Sequence, residues 1–394
     1  MKDKTTKTVI LIANSDGALY MFRKTLIEEL VERNHKVISV SGHSVEGEYS
    51  ERLRSIGVMK HHEISFSGSS INPLSFLKLI LTIIKVYKEH NPDIVHCFTH
   101  KACISGAIAR KVINLEARLI FTITGLGRVF SELNLRNIVL RSLIELQYRL
   151  VCNSAHKVFF QNKDDAELFI NKCNLKKNKV RVVGGSGVDL SEMKCESRPL
   201  KIPSKIRELG IDSKKIVILK LGRGMIQKGF FEFYSAAKEI SISHPNKYLF
   251  IHAGNIDNEI YKKIGSDELE NFARAHCVKF LGFRKEVKDL LLFSDVVVHP
   301  SYYREGVPRS LIEALAMDKP IITCETIGNK ETVKDGWNGF FCEPRSVKSL
   351  ISKILLANKG FILESKGRSR ILAESKFDVR IINKNVRDMY FNEI

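Results

Sequence analysis

Short apolar runs alternate with amphipathic stretches along the whole chain. The amphipathic stretches, such as LYMFRKTLIEELVER and LSFLKLILTIIKVYKEH, place apolar residues at the spacing of one helix face. The apolar runs are short and rich in Val and Ile, which is typical of strands buried on both faces. In chain order they are KTVILIANS, HKVISVSG, PDIVHCFT, ARLIFTIT, HKVFFQN, KVRVVGG, KKIVILKLGR, KYLFIHAG, VKFLGF, DVVVHPS, KPIITCE and GFFCEP. This alternation predicts parallel sheets joined by right-handed crossovers.

The chain has 394 residues, which is too long for one ordinary core and predicts two domains. The segment 185–205, GSGVDLSEMKCESRPLKIPSK, has no clear strand and contains Gly, Ser and Pro, so it is the natural boundary. We predict a first domain at 1–186, a linker at 187–205, and a second domain at 206–375. A C-terminal helix at 376–394 could return to the first domain. Two α/β domains joined in this way create a cleft, which is a usual place for a ligand.

The net charge of +19 indicates an anionic partner. No basic tail, zinc finger or aromatic RNA-binding motif accompanies it, which argues against a nucleic-acid module. The eight cysteines contain no C-x-x-C pair and fit reduced thiols in a cytoplasm. The twelve histidines form no ligand cluster, the pair at 61–62 being isolated, so no metal site is predicted. No apolar run is long enough to span a membrane, and VILIA is too short for a signal peptide.

The first candidate motif is LGRGMIQKGFFEF at 221–233, which follows a strand and opens a helix. Gly222 and Gly224 let the backbone approach a ligand, while Arg223 and Lys228 bring two cations to a helix N-terminus. That combination suits a diphosphate without requiring a metal. The turn is neither a Walker loop nor a dinucleotide fingerprint. The alternative is a surface turn with two solvated cations.

The second candidate motif is SYYREGVPRSLIEAL at 301–315. Glu305 lies in the turn after the strand DVVVHPS, and Glu313 lies in a helix for which Pro308 suits the first position. Ligands of open parallel sheets bind outside the carboxyl ends of the strands, so both carboxylates could face a ligand. The alternative is a solvated turn carboxylate and an ordinary glutamate on a helix surface.

These motifs together carry a resemblance. LGRxxxxKG, VKFLGF and SDVVVHPSYYREGVPRSLIEALAMDKPIITCETIGNKETVKDGWNGFFCEP resemble the retaining, metal-independent glycosyltransferases of the GT-B fold, of the glycosyl transferases group 1 or family 4 type. The resemblance implies an α/β fold with two Rossmann-like, doubly wound domains facing across a cleft. In the first domain, PDIVHCFTHKACISGAIAR and TITGLGRVF look like a bacterial subgroup. Its members commonly add N-acetylhexosamine or related sugars to polyprenyl-diphosphate-linked saccharides.

The resemblance assigns roles to residues of the second domain. Glu305, Arg223 and Lys228 match the catalytic positions, the two cations neutralising the leaving diphosphate and Glu305 lying by the transferred sugar. Glu313 matches the glutamate that binds the donor ribose. The other donor-binding positions are Gly222, Gly306, Val307, Phe283 and Arg284, with Gly306 and Val307 offering backbone N–H groups and the last two flanking the base.

The first domain departs from the family at one position. Many members carry a histidine after the fifth strand, where this chain has Thr124 and Gly125. Thr cannot act as a general base at neutral pH, so Thr124 would orient or hydrogen-bond. His100 and Lys101 are alternative residues near the cleft, although such a histidine is as often an ordinary surface residue. Gly17 would allow close backbone approach, or is a plain turn glycine.

The implied activity is transfer of a sugar from a UDP-sugar to a polyprenyl-diphosphate-linked glycan in O-antigen, capsule or related assembly, with no cofactor. The alternatives are a nucleotide-sugar epimerase of the same fold and a non-catalytic nucleotide-sugar-binding protein. A lipid-linked acceptor implies a cytoplasmic protein, peripheral at the inner face of the cell membrane. The segment 127–150, with Arg136, Arg141 and Arg149, is the expected contact with an anionic membrane surface. For 74–88 we expect burial against the sheet.

Overall fold

The computed structural model of the chain describes residues 6–44, 49–64, 73–131, 134–194, 215–265 and 267–391. The chain forms two compact units. Residues 1–186 and 379–394 make up the first, and residues 187–378 make up the second. Each unit contains one parallel sheet with helices.

The first unit has a seven-stranded parallel sheet in the order β3-β2-β1-β4-β5-β6-β7. Six of its strands were predicted from their apolar runs. The missed strand, with the sequence KHHE, has no β-branched or apolar residue and pairs only with β2 at the edge of the sheet. The strands are β1 Thr8–Ser15, β2 Lys36–Gly42, β3 Lys60–Glu63, β4 Ile94–Phe98, β5 Arg118–Ile123, β6 Lys157–Phe160 and β7 Val180–Val182.

The helices of the first unit begin at residues that cap them. Ser15 and Asn134 each accept a hydrogen bond from a backbone N–H three residues on, as N-caps do. The α-helices are Asp16–Glu32, Tyr49–Ser55, Pro73–His90, His100–Val112, Arg128–Ser131, Leu135–Val151, Lys163–Cys173 and Val379–Phe391, with 3₁₀ turns at Cys152–Ser154 and Lys177–Lys179.

The first sheet is buried on both faces because its strands alternate between two apolar cores. Along β1, Ile10 and Ile12 enter one core, with the helices Pro73–His90 and His100–Val112. Val9 and Leu11 enter the other, with the helix Asp16–Glu32. A continuous apolar run is what such a strand requires.

The helix Val379–Phe391 belongs to the first unit, far in sequence from the rest of it. Tyr390 is buried there, and its hydroxyl lies 2.6 Å from His96 Nδ1 on β4. Arg118 donates to the carbonyls of Met389 and Tyr390 at 3.1 Å each. Burial, with the charge of Arg23, holds the pKa of His96 well below its usual value, so the imidazole is neutral.

The second unit has a six-stranded parallel sheet in the order β10-β9-β8-β11-β12-β13, and all six strands were predicted. Numbered from its own first strand, this order is 3-2-1-4-5-6, that of a doubly wound sheet. The strands are β8 Ile216–Leu221, β9 Tyr248–Ala253, β10 Val278–Phe280, β11 Val296–His299, β12 Ile321–Cys324 and β13 Gly339–Cys342. The α-helices are Phe230–Ser243, Asn258–Ile264, Leu269–Ala275, Val287–Phe293, Arg309–Ala316, Val347–Leu356, Lys359–Glu364 and Arg368–Leu372. Short 3₁₀ turns lie at Ile226–Lys228 and Asn329–Glu331, and a π-helical turn at Ala373–Phe377.

The start of the expected linker is part of the second unit. Val188 and Leu190 are buried in one of its cores, and the Val188 N–H donates to the Phe377 carbonyl at 2.8 Å. The rest of the expected linker, 195–205, and the first residues of the expected second domain, 206–214, lie outside the described residues.

Candidate active site

Two turns of the second unit meet where the strand order reverses. β8 and β11 are neighbours in the sheet, pairing Ile218 with Val296, but the chain winds outward from them in opposite directions. Their helices therefore leave on opposite faces, which opens a crevice at the carboxyl ends of the two strands. The turn after β8 is residues 222–229 and the turn after β11 is residues 300–308. Each motif singled out in the sequence consists of most of one of these turns and the beginning of the helix that follows it.

Glycine brings the two turns together. Gly229 has φ +66°, in the left-handed region that favours glycine, and a Cβ there would collide with the carbonyl of Pro300. Gly328 has φ +86°, and a Cβ there would collide with the Gly306 carbonyl. The turn after β11 is thus packed between two glycines from other parts of the chain.

An ion pair joins the two turns. Lys228 Nζ lies 2.9 Å from Glu305 Oε2, and the two side chains are 16% and 18% exposed. His299, at the end of β11, places Nε2 3.3 Å from Glu305 Oε1, and the Ser301 hydroxyl donates to the same oxygen at 3.4 Å. Lys228 and Glu305 were each singled out from motifs, although not as an ion pair. His299 and Ser301 were missed, although both stand in the run DVVVHPS.

The surroundings fix the charges of this cluster. Burial raises the pKa of Glu305, but Lys228 and His299 more than offset it and bring the value to about 2. Burial lowers the pKa of His299 to about 4, although Glu305 opposes the shift. At neutral pH Glu305 is therefore a carboxylate and His299 a neutral imidazole that donates to it. A carboxylate of such low pKa is a weak base, so this glutamate is suited to electrostatic work rather than proton abstraction.

Glu313 lies in the helix that follows the second turn. Its Oε1 accepts a hydrogen bond from Arg309 Nε at 2.8 Å, and the side chain is 19% exposed. The helix begins at Arg309, so Pro308 precedes it, one residue before the position predicted. Gly306 and Val307 are buried in the turn that leads into this helix.

The remaining donor-site candidates lie at the same edge of the sheet. Arg223 is exposed in the turn after β8, and no ion pair or hydrogen bond links it to another described residue. Gly222 has φ +112° and donates to the Ala253 carbonyl at 2.9 Å. Phe283 and Arg284 are exposed after β10, with β9 between β10 and β8.

The candidates of the first unit lie at the carboxyl ends of β1, β4 and β5. Gly17, in the first turn of the helix Asp16–Glu32, is buried and donates to Ser44 Oγ at 3.0 Å. Thr124 and Gly125 follow β5 and are half-buried. The structure also places Asn14 and Thr99 here, the Thr99 hydroxyl donating to Asn14 at 2.5 Å. Neither was singled out in the sequence.

His100 and Lys101 begin the helix His100–Val112. The His100 ring packs edge-on against Tyr148 at 5.0 Å between centroids. Burial lowers the pKa of His100 to about 4, although a hydrogen bond to the Gln147 side chain opposes the shift. Burial also lowers the pKa of Lys101. His100 is thus a packed neutral imidazole rather than an ordinary surface residue.

One group of potential metal ligands occurs among the described residues, and it lies outside the turns just described. His62, on β3, places Nε2 2.7 Å from His90 Nε2, with Glu89 beside them. The interpretation of the histidine pair at 61–62 as isolated is therefore wrong. The Glu89 carboxylate is held by Lys60 at 2.6 Å. The turns after β8 and β11 have no comparable group within the described parts of the chain.

Comparison with solved structures defines the class. The chain resembles a glycosyltransferase from Rickettsia africae with a TM-score of 0.76 and 19% identity, over 98% of both chains. It resembles Alr3699/HepE of Anabaena, solved with UDP and glucose, with a TM-score of 0.74 and 19% identity, over 97% of this chain and 98% of that one. With its two doubly wound units, this chain has the fold of the GT-B glycosyltransferases.

Sequence families define the group more closely. Residues 201–360 match the family Glycosyl transferases group 1, and residues 24–192 match Glycosyltransferase Family 4. The chain belongs to these glycosyltransferases, as its motifs predicted.

Three curated relatives extend over most of the chain. An N,N'-diacetylbacillosaminyl-diphospho-undecaprenol alpha-1,3-N-acetylgalactosaminyltransferase of Campylobacter jejuni is 29% identical over 88% of both chains. A UDP-Gal:alpha-D-GlcNAc-diphosphoundecaprenol alpha-1,3-galactosyltransferase of Escherichia coli is 24% identical over 82% of both. The capsular polysaccharide biosynthesis glycosyltransferase CapM of Staphylococcus aureus is 28% identical over 92% of both. All three are glycosyltransferases, and the epimerase alternative has no support among them.

Proposed function

We propose that this protein is a retaining, metal-independent glycosyltransferase that moves a sugar from a UDP-sugar to a polyprenyl-diphosphate-linked saccharide, in surface-polysaccharide or glycan assembly. The proposal that the second unit binds the UDP-sugar donor is based on the Lys228–Glu305 pair, whose charged atoms lie 2.9 Å apart at the carboxyl ends of β8 and β11. The proposed lipid-linked acceptor is supported by the names of the Campylobacter and Escherichia relatives, which both act on undecaprenyl-diphosphate-linked sugars. We propose that the transferred sugar is an N-acetylhexosamine or a related sugar.

The roles in the donor site follow from charge. Lys228 and the exposed Arg223 are cations in one turn and would neutralise the diphosphate as it leaves. The N–H groups of Gly306 and Val307 would add donors at the same place, while Pro308 has none. Glu313, held by Arg309, would accept hydrogen bonds from the ribose hydroxyls. Phe283 and Arg284 would flank the base.

Metal independence and retention are proposed from the same cluster. Two side-chain cations and backbone N–H groups do the work that a divalent ion does in metal-dependent transfer. Glu305, with its pKa of about 2, is too weak a base to take the proton of the acceptor hydroxyl at neutral pH. A phosphate oxygen of the departing diphosphate would then accept the proton of the acceptor hydroxyl. It lies on the face from which the sugar departs, so attack from that face retains the anomeric configuration.

Membrane attachment is proposed through the helix Leu135–Val151. Its outward surface carries apolar side chains that the core does not cover: Leu135 is 83% exposed, Val139 69% and Leu150 75%. Arg136 lies among them and is exposed, whereas Arg141 and Arg149 also donate to backbone carbonyls. An apolar surface with cations is what an interfacial helix requires. Among the described helices, none is long and apolar enough to cross a membrane.

The helix Pro73–His90 packs against the sheet, as expected for 74–88, but its other side is exposed and adds to this surface. Ile80 and Ile83 are buried in the core, but Leu74, Leu77 and Leu81 are exposed. This helix and the helix Leu135–Val151 both pack on the helix His100–Val112. Two exposed apolar helix surfaces on one face of the first sheet support docking of that face on a bilayer, at the cytoplasmic leaflet.

Transfer is tested with a panel of UDP-sugars, with and without synthetic polyprenyl-diphosphate acceptors. Mass spectrometry identifies the products, and NMR gives the anomeric configuration. An acceptor-dependent product with the donor's configuration is expected. Conversion of the donor without acceptor would indicate an epimerase, and binding without turnover would indicate a non-catalytic protein.

Attachment is tested by flotation with liposomes containing anionic lipid, comparing wild type with the triple variant Leu135→Ser, Val139→Ser, Leu150→Ser. Ile242→Ser and Leu363→Ser, at exposed apolar residues of the second unit, are the matched control. We expect the triple variant alone to stay with the soluble fraction. Equal flotation of all three proteins would reject this surface as the anchor.

A further inference from the structure

A lysine is completely buried beneath the candidate diphosphate-binding turn. Lys220, on β8, is 1% exposed, within a strand whose residues are all buried. Its Nζ donates to the backbone carbonyl of Lys228 at 2.7 Å and lies 5.9 Å from the centre of the Phe233 ring. Lysine is almost never fully buried without a partner, so this position has a cost that a function would explain.

Charged and titratable groups face Lys220 from every neighbouring element. Lys228 and Glu305 come from the two turns, and Glu232 from the helix Phe230–Ser243. His252 on β9, His299 on β11 and Cys324 on β12 complete the set. Burial lowers the pKa of His252 to about 3 and that of His299 to about 4, so both are neutral. The hydrogen bond with Cys342, together with burial, raises the pKa of the Cys324 thiol, which is neutral too. The charged groups that act on Lys220 are therefore Lys228, Glu305 and Glu232.

These surroundings bring the pKa of Lys220 close to neutral pH. Burial lowers its pKa to about 7, and the like charge of Lys228 adds to the shift, while Glu232 and Glu305 oppose it. One carboxylate oxygen of Glu232, Oε2, is buried with no hydrogen-bond partner among the described residues. Near pH 7, then, a modest change of local charge is enough to move the proton on or off Lys220.

We propose that Lys220 is a positioning residue for the diphosphate-binding turn and that its protonation is coupled to binding of the donor diphosphate. The inference rests on the proposed function, because it requires a diphosphate beside Lys228. A diphosphate adds negative charge to the turn whose carbonyl Lys220 holds, and so favours the ammonium form. Linkage is reciprocal: if the diphosphate stabilises the ammonium, then the ammonium strengthens diphosphate binding by the same factor.

The sign of the pH effect follows. Below about pH 7 Lys220 already carries its proton in the free protein, and binding takes up none. Above that pH the free protein has lost the proton, so binding must take one up, and affinity falls as pH rises. Coupling to a single proton limits the fall to tenfold in Kd per pH unit. A lysine that only filled space would give neither proton uptake nor this slope.

The test is calorimetric titration of the full chain with UDP, near pH 8, in buffers of different ionisation enthalpy. The dependence of the observed heat on the buffer gives the number of protons taken up. Wild type is expected to take up a fraction of a proton approaching one. Lys220→Met keeps the length of the side chain and removes the charge, and it is expected to take up none. Lys220→Arg stays charged at every pH in the range, and is expected to bind without uptake and with a flat pH profile.

Lys238→Met removes an exposed lysine from the helix Phe230–Ser243 and is the matched control, expected to behave as wild type. If wild type binds UDP without proton uptake, or if Lys220→Met retains the uptake, the coupling is wrong while the donor site stands. If Lys220→Met does not fold, Lys220→Arg decides between the same outcomes. A chain that does not bind UDP at any pH would overturn the proposed donor site, and the coupling with it.

Discussion

The Lys228→Ala substitution removes the ammonium group from the Lys228–Glu305 pair and is expected to affect both the stability of the protein and the transfer reaction. In Lys228→Ala, the Glu305 carboxylate stays in its half-buried turn and loses its cation, but it keeps the hydrogen bonds from His299 and Ser301. Two effects are expected: the protein is destabilised by an uncompensated charge, and the leaving diphosphate loses a cation. Adding Glu305→Gln to the first variant removes the uncompensated charge but restores no cation. The double variant therefore distinguishes the two effects.

The magnitudes follow from the geometry. At 2.9 Å and an effective dielectric of about 20, the gross attraction is about 6 kcal/mol, most of which is offset by desolvation. The pKa of Glu305, about 2 against an ordinary 4.5, corresponds to about 3 kcal/mol of net stabilisation of its charge, shared between Lys228 and His299. Lys228→Ala should thus lower the free energy of unfolding by about 2 kcal/mol at pH 7. Loss of the cation from the transition state should lower kcat/KM by roughly 10²–10³.

The assays are urea unfolding without ligand and steady-state transfer kinetics, each on wild type, Lys228→Ala and Lys228→Ala/Glu305→Gln. The double variant should regain about 1–2 kcal/mol of the lost stability and part of the lost donor affinity, because the repulsion between Glu305 and the diphosphate is gone. Its kcat should stay low. Wild-type kcat/KM in Lys228→Ala, or a kcat restored by Glu305→Gln, would refute the role of Lys228 at the leaving group.

Further outcomes are expected at the same site. Transfer should persist in excess chelator, and a loss that magnesium or manganese reverses would contradict the metal-independent mechanism. Glu313→Ala should raise donor KM more than it lowers kcat, since ribose contacts persist from ground state to transition state; an effect on kcat alone would argue otherwise. Because the pKa of Glu305 is lowered, the stability of wild type relative to Glu305→Gln should be constant above about pH 4.5 and shrink as pH falls towards 2, and urea unfolding across this range measures it. Gly229→Ala should cost about 1–3 kcal/mol of stability and weaken UDP binding, because its Cβ meets the Pro300 carbonyl, whereas Gly336→Ala, at a similar φ but in open space, should cost less and leave binding unchanged.

Strands with continuous apolar runs could be predicted from the sequence because burial on both faces demands such residues. The strand KHHE could not, because an edge strand needs only one partner and little burial, and backbone pairing with β2 leaves no trace in side-chain type. The exposed surface of the helix Pro73–His90 was also missed. Its residues LSFLKLIL are so uniformly apolar that the sequence does not show which of them the core covers.

In the candidate site, Lys228 and Glu305 were predictable from their motifs, but the partners of Glu305 were not. His299 ends a strand and could equally face either side; only the register of β11 directs its ring towards Glu305. Lys220 did leave a signal, since a lysine interrupts the apolar run IVILKL at a position that a central strand buries. A charge at such a position needs a partner, and the partner, a backbone carbonyl of the next turn, has no signature in sequence.

The return of the chain to the first unit has a consequence for its synthesis. Residues 187–378 are synthesised before the helix Val379–Phe391, so all residues of the second unit are made while the first unit still lacks this helix. Until Tyr390 arrives, His96 and the apolar core beneath it are open to water. A chain truncated after Asp378 would therefore contain every residue of the second unit but leave the first unit without the helix that covers His96.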